Sequence, residues 1–128
     1  MKAYPGFHLR SLLDGRSGPS GVHMMVIVAN ARKFGGGFHI APSAVIDDGL
    51  LDVVSFGDLG FFERLKAMGA LMKGQHGGLP KIAATTAATM SFEFENPPAF
   101  ETDGERRQAS ASRLTIETLP RALRVLVP

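Results

Sequence analysis

Glu101-Thr102-Asp103-Gly104-Glu105-Arg106 sets two carboxylates on either side of a glycine, at the end of a segment with clear strand periodicity. Asp103-Gly104 suits a tight hairpin turn, because glycine tolerates positive φ and aspartate can bond its own backbone. Glu105 then emerges just past the turn, where a fixed carboxylate can orient or deprotonate an attacking hydroxyl. The plainer reading of an acid after a turn is a solvated turn residue. A second acidic stretch, Asp47-Asp48-Gly49-Leu50, offers the hard oxygen ligands that Mg²⁺ or Ca²⁺ prefers, although it lacks the spacing of an EF-hand loop and also reads as a turn opening a strand.

Other candidate chemistry is weaker. Gly35-Gly36-Gly37 could bring backbone amides to an anion, but neither GxxxxGK[ST] nor GxGxxG is present and no helix is expected behind the loop, so a structural bend is the simpler reading. His8, His23, His39 and His76 show no ligand spacing, and His23 sits in an apolar run as a core histidine would. No GxSxG nucleophile elbow occurs.

The elements that would hold these residues follow from periodicity. Phe7, Leu9 and Ser11 alternate with His8 and Arg10 in a strand ending at Asp14-Gly15, and Arg16 to Ser20 reads as a loop. Val22 to Ala29 is a continuous apolar strand, Phe38 to Ala41 a short extended piece, and Leu51 to Phe56 another strand. One helix is expected, capped by Asp58 and ended by Gly74. Its stripe of Phe61, Leu65, Met68 and Met72 should pack on a sheet, or else lie on a lipid surface with Arg64, Lys66 and Lys73 near headgroups. Strands return at Lys81 to Glu95, where Met90, Phe92 and Phe94 alternate with Ser91, Glu93 and Glu95, then at Arg107 to Thr118 and Ala122 to Val127. Asn96-Pro97-Pro98 interrupts the ladder before Phe100 resumes it. Seven or eight strands and one helix predict a mainly β chain, an antiparallel β-sandwich with an amphipathic helix in one connection.

Composition narrows the class. At 128 residues, 45% hydrophobic and 20% charged, the chain has the size and balance of one domain. Cysteine is absent, which removes disulfides and thiolate metal sites and agrees with a cytoplasmic setting. A net charge of +2 spread over scattered basic residues, without an aromatic ribonucleoprotein motif, argues against nucleic acid as a partner. No apolar run reaches the roughly 18 residues of a membrane span, so a membrane is expected to be touched and not crossed. A carbohydrate-binding sandwich has little support from a chain with no tryptophan and only Tyr4 to stack on sugars.

Taken in order, Asn30-Ala31-Arg32-Lys33-Phe34-Gly35-Gly36-Gly37, Ala41-Pro42-Ser43-Ala44-Val45-Ile46-Asp47-Asp48-Gly49-Leu50-Leu51-Asp52, Asp103-Gly104-Glu105 and Leu119-Pro120-Arg121-Ala122-Leu123-Arg124-Val125-Leu126-Val127-Pro128 resemble the C-terminal domain of bacterial diacylglycerol kinase-like lipid kinases, relatives of the sphingosine and ceramide kinases. The similarity runs from about Phe7 to Pro128. It implies a β-sandwich lobe, residues 1–128, whose partner is an N-terminal nucleotide lobe with a GGDGT motif. That motif is absent here, so the resemblance implies that the nucleotide lobe and the first strands of the sandwich lie outside this chain.

The same resemblance implies an ATP-dependent lipid kinase of phospholipid metabolism, working in the cytoplasm at the inner face of the membrane on a diacylglycerol-like substrate. Glu105, with Asp103 in its motif, would be the base that takes the hydroxyl proton. Asp48 and the carbonyls of Val45 and Leu50 would hold a structural Mg²⁺, while ATP and catalytic Mg²⁺ would depend on the missing lobe. The isolated chain would then be inactive, and a homodimer stands among the expected assemblies. Arg106-Arg107, after the motif, departs from the proline or apolar residue common in that family. The rival reading is a non-catalytic lipid-binding or interaction module.

Overall fold

The computed structural model describes residues 6–33, 37–124 and 126. Its strands are β1 (Phe7–Leu13), β2 (Arg16–Ser17), β3 (Gly21–Ala29), β4 (Leu51–Gly57), β5 (Ile82–Ala87), β6 (Thr89–Phe94), β7 (Ala99–Thr102), β8 (Glu105–Gln108) and β9 (Arg113–Glu117), and helix α1 (Phe61–Lys73) joins β4 to β5 through a 3₁₀ turn at His76–Gly78. A seven-stranded sheet has the order β5-β4-β3-β1-β6-β9, with β2 on β1, and β7-β8 forms a separate two-stranded sheet. Every pairing is antiparallel. The architecture is the mainly β, one-helix one that the periodicity predicts.

The sheet must curl. β5 and β6 stand four places apart in the order, yet only Ala88 separates them in the chain, and one residue spans only a few ångströms. The expected single strand from Lys81 to Glu95 therefore breaks into two at a corner. Asp14, just past the end of the neighbouring β1, fastens that corner: its Oδ1 accepts the backbone N–H groups of Ala88 (3.0 Å) and Thr89 (2.9 Å). Inside the curl Leu9, Leu13, Val53, Ala87, Met90 and Phe92 bury one core. On the other face Val54, Phe56 and Ile82 pack with Ile40, Ala41, Ala44, Leu59, Ala67 and Leu71 as a second.

Several expectations need correction, among them the single strand from Arg107 to Thr118, which is β8 and β9 with Ala109 to Ser112 between them. Arg16 and Ser17, read as loop, pair with β1. Phe38 to Ala41 forms no strand. Gly60, not Asp58, is the N-cap of α1, and no side chain caps it; the Asp58 carbonyl instead accepts Lys81 Nζ, while Leu59 is drawn into the core. The stripe of Phe61, Leu65, Met68 and Met72 is exposed, and the helix instead buries Ala67 and Leu71 in the core beside Val54, Phe56 and Ile82. Gly74 ends α1 as expected: at φ 69° it closes a Schellman turn, Gly74 N–H bonding Leu71 O and Gln75 N–H bonding Ala70 O.

Ala122 to Arg124 are not strand, and Val125 and Val127, like Phe34, Gly35 and Gly36 of the glycine loop, lie outside the described residues. No helix among the described residues is long and apolar enough to cross a membrane.

Candidate functional site

Asp103 (φ 50°) and Gly104 (φ 84°) are the two central residues of the β7–β8 turn, and the strands close in register on either side with Thr102 opposite Glu105. Two consecutive positive φ values make a type I′ turn, whose twist matches that of the strands and whose preference for Asp-Gly is what the sequence supplies. The turn thus fixes where Glu105 starts β8. Thr102 and Glu105 are directly paired, so their side chains share a face, and the period of two brings Arg107 to the same face. The guanidinium ties the three together: Arg107 Nε donates to Thr102 Oγ1 at 2.8 Å, and Nη2 donates to Glu105 Oε2 at 3.2 Å.

This cluster is open to solvent, with the Glu105 side chain 76% exposed. An exposed carboxylate with one oxygen held by an arginine can accept a proton or a hydrogen bond from a hydroxyl brought to it. The side chain of Asp103 is exposed and its contribution is the turn itself.

Asp48 belongs to a different place, the loop entering β4. Its Oδ1 accepts the Leu50 backbone N–H at 2.9 Å, and Gly49 at φ 73° lets the chain turn between them. The Gly49 carbonyl accepts Thr118 Oγ1 at 3.0 Å, which anchors the loop to the chain beyond β9. Val45 is exposed and Leu50 half-buried in the same loop. Burial pushes the Asp52 carboxyl, at the start of β4, above its ordinary value, and the nearby negative charge of Asp48 pushes it the same way. Two neighbouring carboxylates, without an arginine or lysine paired to either among the described residues, form a donor set that suits a divalent cation. Among the described residues no group of three or more His, Cys, Asp or Glu side chains gathers as a metal site, so such an ion would draw most of its ligands from backbone carbonyls and water.

The structure therefore places Glu105 and Asp103 on one hairpin and Val45, Asp48 and Leu50 on another loop. A hollow of about 1010 Å³ between the β1–β2 hairpin and β3, β4 and β5, lined by Ser17, His23, Ser55, Lys81 and Thr85 among others, includes none of the five. His23 is buried as expected, its Nδ1 within 3.1 Å of the Gly21 carbonyl.

Two residues with central roles escaped the sequence reading. Arg107 drew notice only as a departure from a family pattern, yet it is the partner of Glu105; the i, i+2 spacing on a strand was the available signal. His76, in a polar glycine-flanked stretch that reads as loop, is 1% exposed, stacks on Phe56 and has Nε2 at 2.8 Å from the Ile40 carbonyl. Nothing local in the sequence marks it.

Comparison with known proteins gives the family. The chain is 34% identical over 103 residues to a protein of Stenotrophomonas maltophilia (strain K279a) named "Probable lipid kinase YegS-like", covering 79% of this chain and 32% of that one. It is 32% identical over 106 residues to "Probable lipid kinase YegS" of Escherichia coli O9:H4 (strain HS), covering 82% and 33%. The chain thus spans about a third of the length of these relatives. Among solved structures, a diacylglycerol kinase from Bacillus anthracis strain Sterne shares the fold with a TM-score of 0.69 at 21% identity, covering 95% of this chain and 44% of that one. The family described as the YegS C-terminal NAD kinase beta sandwich-like domain matches residues 1–127, and the chain belongs to it.

Proposed function

We propose that this chain is the β-sandwich lobe of a lipid kinase that transfers the γ-phosphate of ATP to a hydroxyl of a diacylglycerol-like lipid, with Glu105 as the base. The observation that carries the proposal is the type I′ turn at Asp103-Gly104, which holds Glu105 at an exposed hairpin end with its carboxylate aligned by Arg107. Membership of a family whose relatives are named lipid kinases supports the substrate class.

In this reading the lipid oxygen attacks the γ-phosphorus, the bond from that phosphorus to the bridging oxygen breaks, ADP leaves, and the hydroxyl proton passes to Glu105. Phosphoryl transfer depends mostly on positioning and charge neutralisation. The present residues supply the acceptor side: Glu105 directs the hydroxyl, Arg107 holds Glu105 and is itself held by Thr102, and Asp103 with Gly104 sets the strand register. Mg²⁺ held by Asp48 and the carbonyls of Val45 and Leu50 would brace the loop into β4. ATP and its metal would be bound by a nucleotide lobe outside this chain, so the chain alone is inactive and takes part in phosphoryl transfer, at the cytoplasmic membrane face, as one lobe of the larger enzyme.

The test is Glu105→Gln in the parent protein with a nucleotide lobe present. Glutamine keeps size and turn geometry but cannot take the proton, so kcat should fall by about 10² to 10⁴ with the KM for ATP unchanged. A folded variant that keeps more than about a tenth of the wild-type kcat ends the assignment.

A further inference from the structure

The face that α1 turns outward is apolar. Phe61, Leu65, Met68 and Met72 are each more than half exposed, and Phe62 beside them is 81% exposed. Gly69 lies on the same side, where an added side chain would meet nothing within 4 Å. A run of large apolar side chains left in water along a helix about 20 Å long marks an interaction surface more than it does a packing accident.

The charges choose the occupant. Lys66 and Lys73 are seven residues apart, so they project within about 20° of each other on one flank of the stripe, next to Phe62. Neither takes part in an ion pair among the described residues. Glu63, the one acidic residue of the helix, is paired with Lys81 at 3.3 Å and so adds little negative charge to this surface. An apolar stripe edged by unpaired ammonium groups on flexible stems is the arrangement that sinks into the headgroup boundary while its lysines reach lipid phosphates.

We propose that the outward face of α1, formed by Phe61, Phe62, Leu65, Met68 and Met72 and edged by Lys66 and Lys73, seats the chain in the interface of a bilayer that carries anionic lipid. The seat requires neither nucleotide nor Glu105, so it holds or fails independently of the kinase reading.

Vesicle sedimentation of the 128-residue chain tests it. The chain should bind vesicles of roughly three parts phosphatidylcholine to one part phosphatidylglycerol and bind pure phosphatidylcholine far less. Replacing both lysines, Lys66→Gln with Lys73→Gln, should weaken binding to the mixed vesicles about thirtyfold, since each basic group near an anionic surface is worth roughly fivefold in partitioning. Leu65→Gln with Met68→Gln should remove binding to the same vesicles. All four side chains are exposed, and circular dichroism with an unchanged Tm confirms that each variant is folded. Absence of binding by the wild-type chain, or equal binding by wild type and both double variants, overturns the proposal. So does self-association that disappears in Leu65→Gln with Met68→Gln while no vesicles are bound, which gives the face to a second copy.

Discussion

Arg107 reaches back along its own strand and donates from Nη2 to Oε2 of Glu105 at 3.2 Å, with both side chains more than half exposed. The pair therefore does little for the fold: exposed ion pairs contribute about 0–1 kcal/mol. Its effect falls on where the carboxylate points.

Arg107→Gln should consequently leave the unfolding free energy within about 1 kcal/mol of wild type. In the parent enzyme it should lower kcat, by less than Glu105→Gln does, with the KM for ATP unmoved. An unaltered kcat would show that the guanidinium does not orient the base.

Mg²⁺ should raise the Tm of the wild-type chain and do little for Asp48→Ala, because a ligand that binds only the folded state stabilises it by mass action. Thermal melts with and without millimolar Mg²⁺ decide this. Equal shifts in the two proteins would remove the metal from the β4 loop.

Acid should loosen the corner at Ala88. The hydrogen bond from the Thr89 backbone, followed by those from Ala88 and the Thr89 hydroxyl, holds the Asp14 carboxyl below its ordinary value near 3.8. A lowered folded-state pKa gives stability that is complete above the unfolded value and is lost as pH falls through the folded one. Glu93, lowered by its bond to Arg113, acts in the same direction. Melts from about pH 6 to pH 3 should show Tm falling below pH 4, with a shallower fall in Asp14→Asn. Parallel curves would exclude Asp14 as a source of the acid sensitivity.

Gly74→Ala should destabilise the chain by about 1–2 kcal/mol, because the residue sits at a left-handed φ. The new Cβ would also lie 3.2 Å from Pro42 and 3.3 Å from His39. Denaturant titration measures it, and a loss below about 0.5 kcal/mol would mean that the loop carrying His39 and Pro42 yields readily.

Turn chemistry was the most legible part of the sequence. Asp103-Gly104 announced the hairpin and the position of Glu105, and Gly74 announced the end of α1, because positive φ leaves a local mark in residue type. What depended on distant partners was not legible. The apolar period of α1 placed its stripe correctly on the helix, but not which side would meet the core: Ala67 and Leu71 do, and the larger apolar side chains face solvent. The stretch from Lys81 to Glu95 contains neither glycine nor proline at Ala88, so nothing local betrays the break. Asp14 and Glu105 illustrate the same divide. Both adjoin an Asp-Gly turn, but only the folded sheet shows that Asp14 is spent on backbone amides while Glu105 is left facing solvent.

The bond from Asp14 to Ala88 joins residues 74 positions apart, and β1 lies between β3 and β6 in the sheet. β3 and β4 can zip early, because their partners are comparatively near in the chain. β1, by contrast, has one edge that stays unpaired until β6 has been made, and an open strand edge is a template for pairing with other chains. Loop closure over such a span precedes any reward from the contacts it allows, which places this topology among the slower folders of its size. During synthesis β1 would therefore leave the ribosome long before its second neighbour exists, and that interval is when the sheet is most exposed to misassembly.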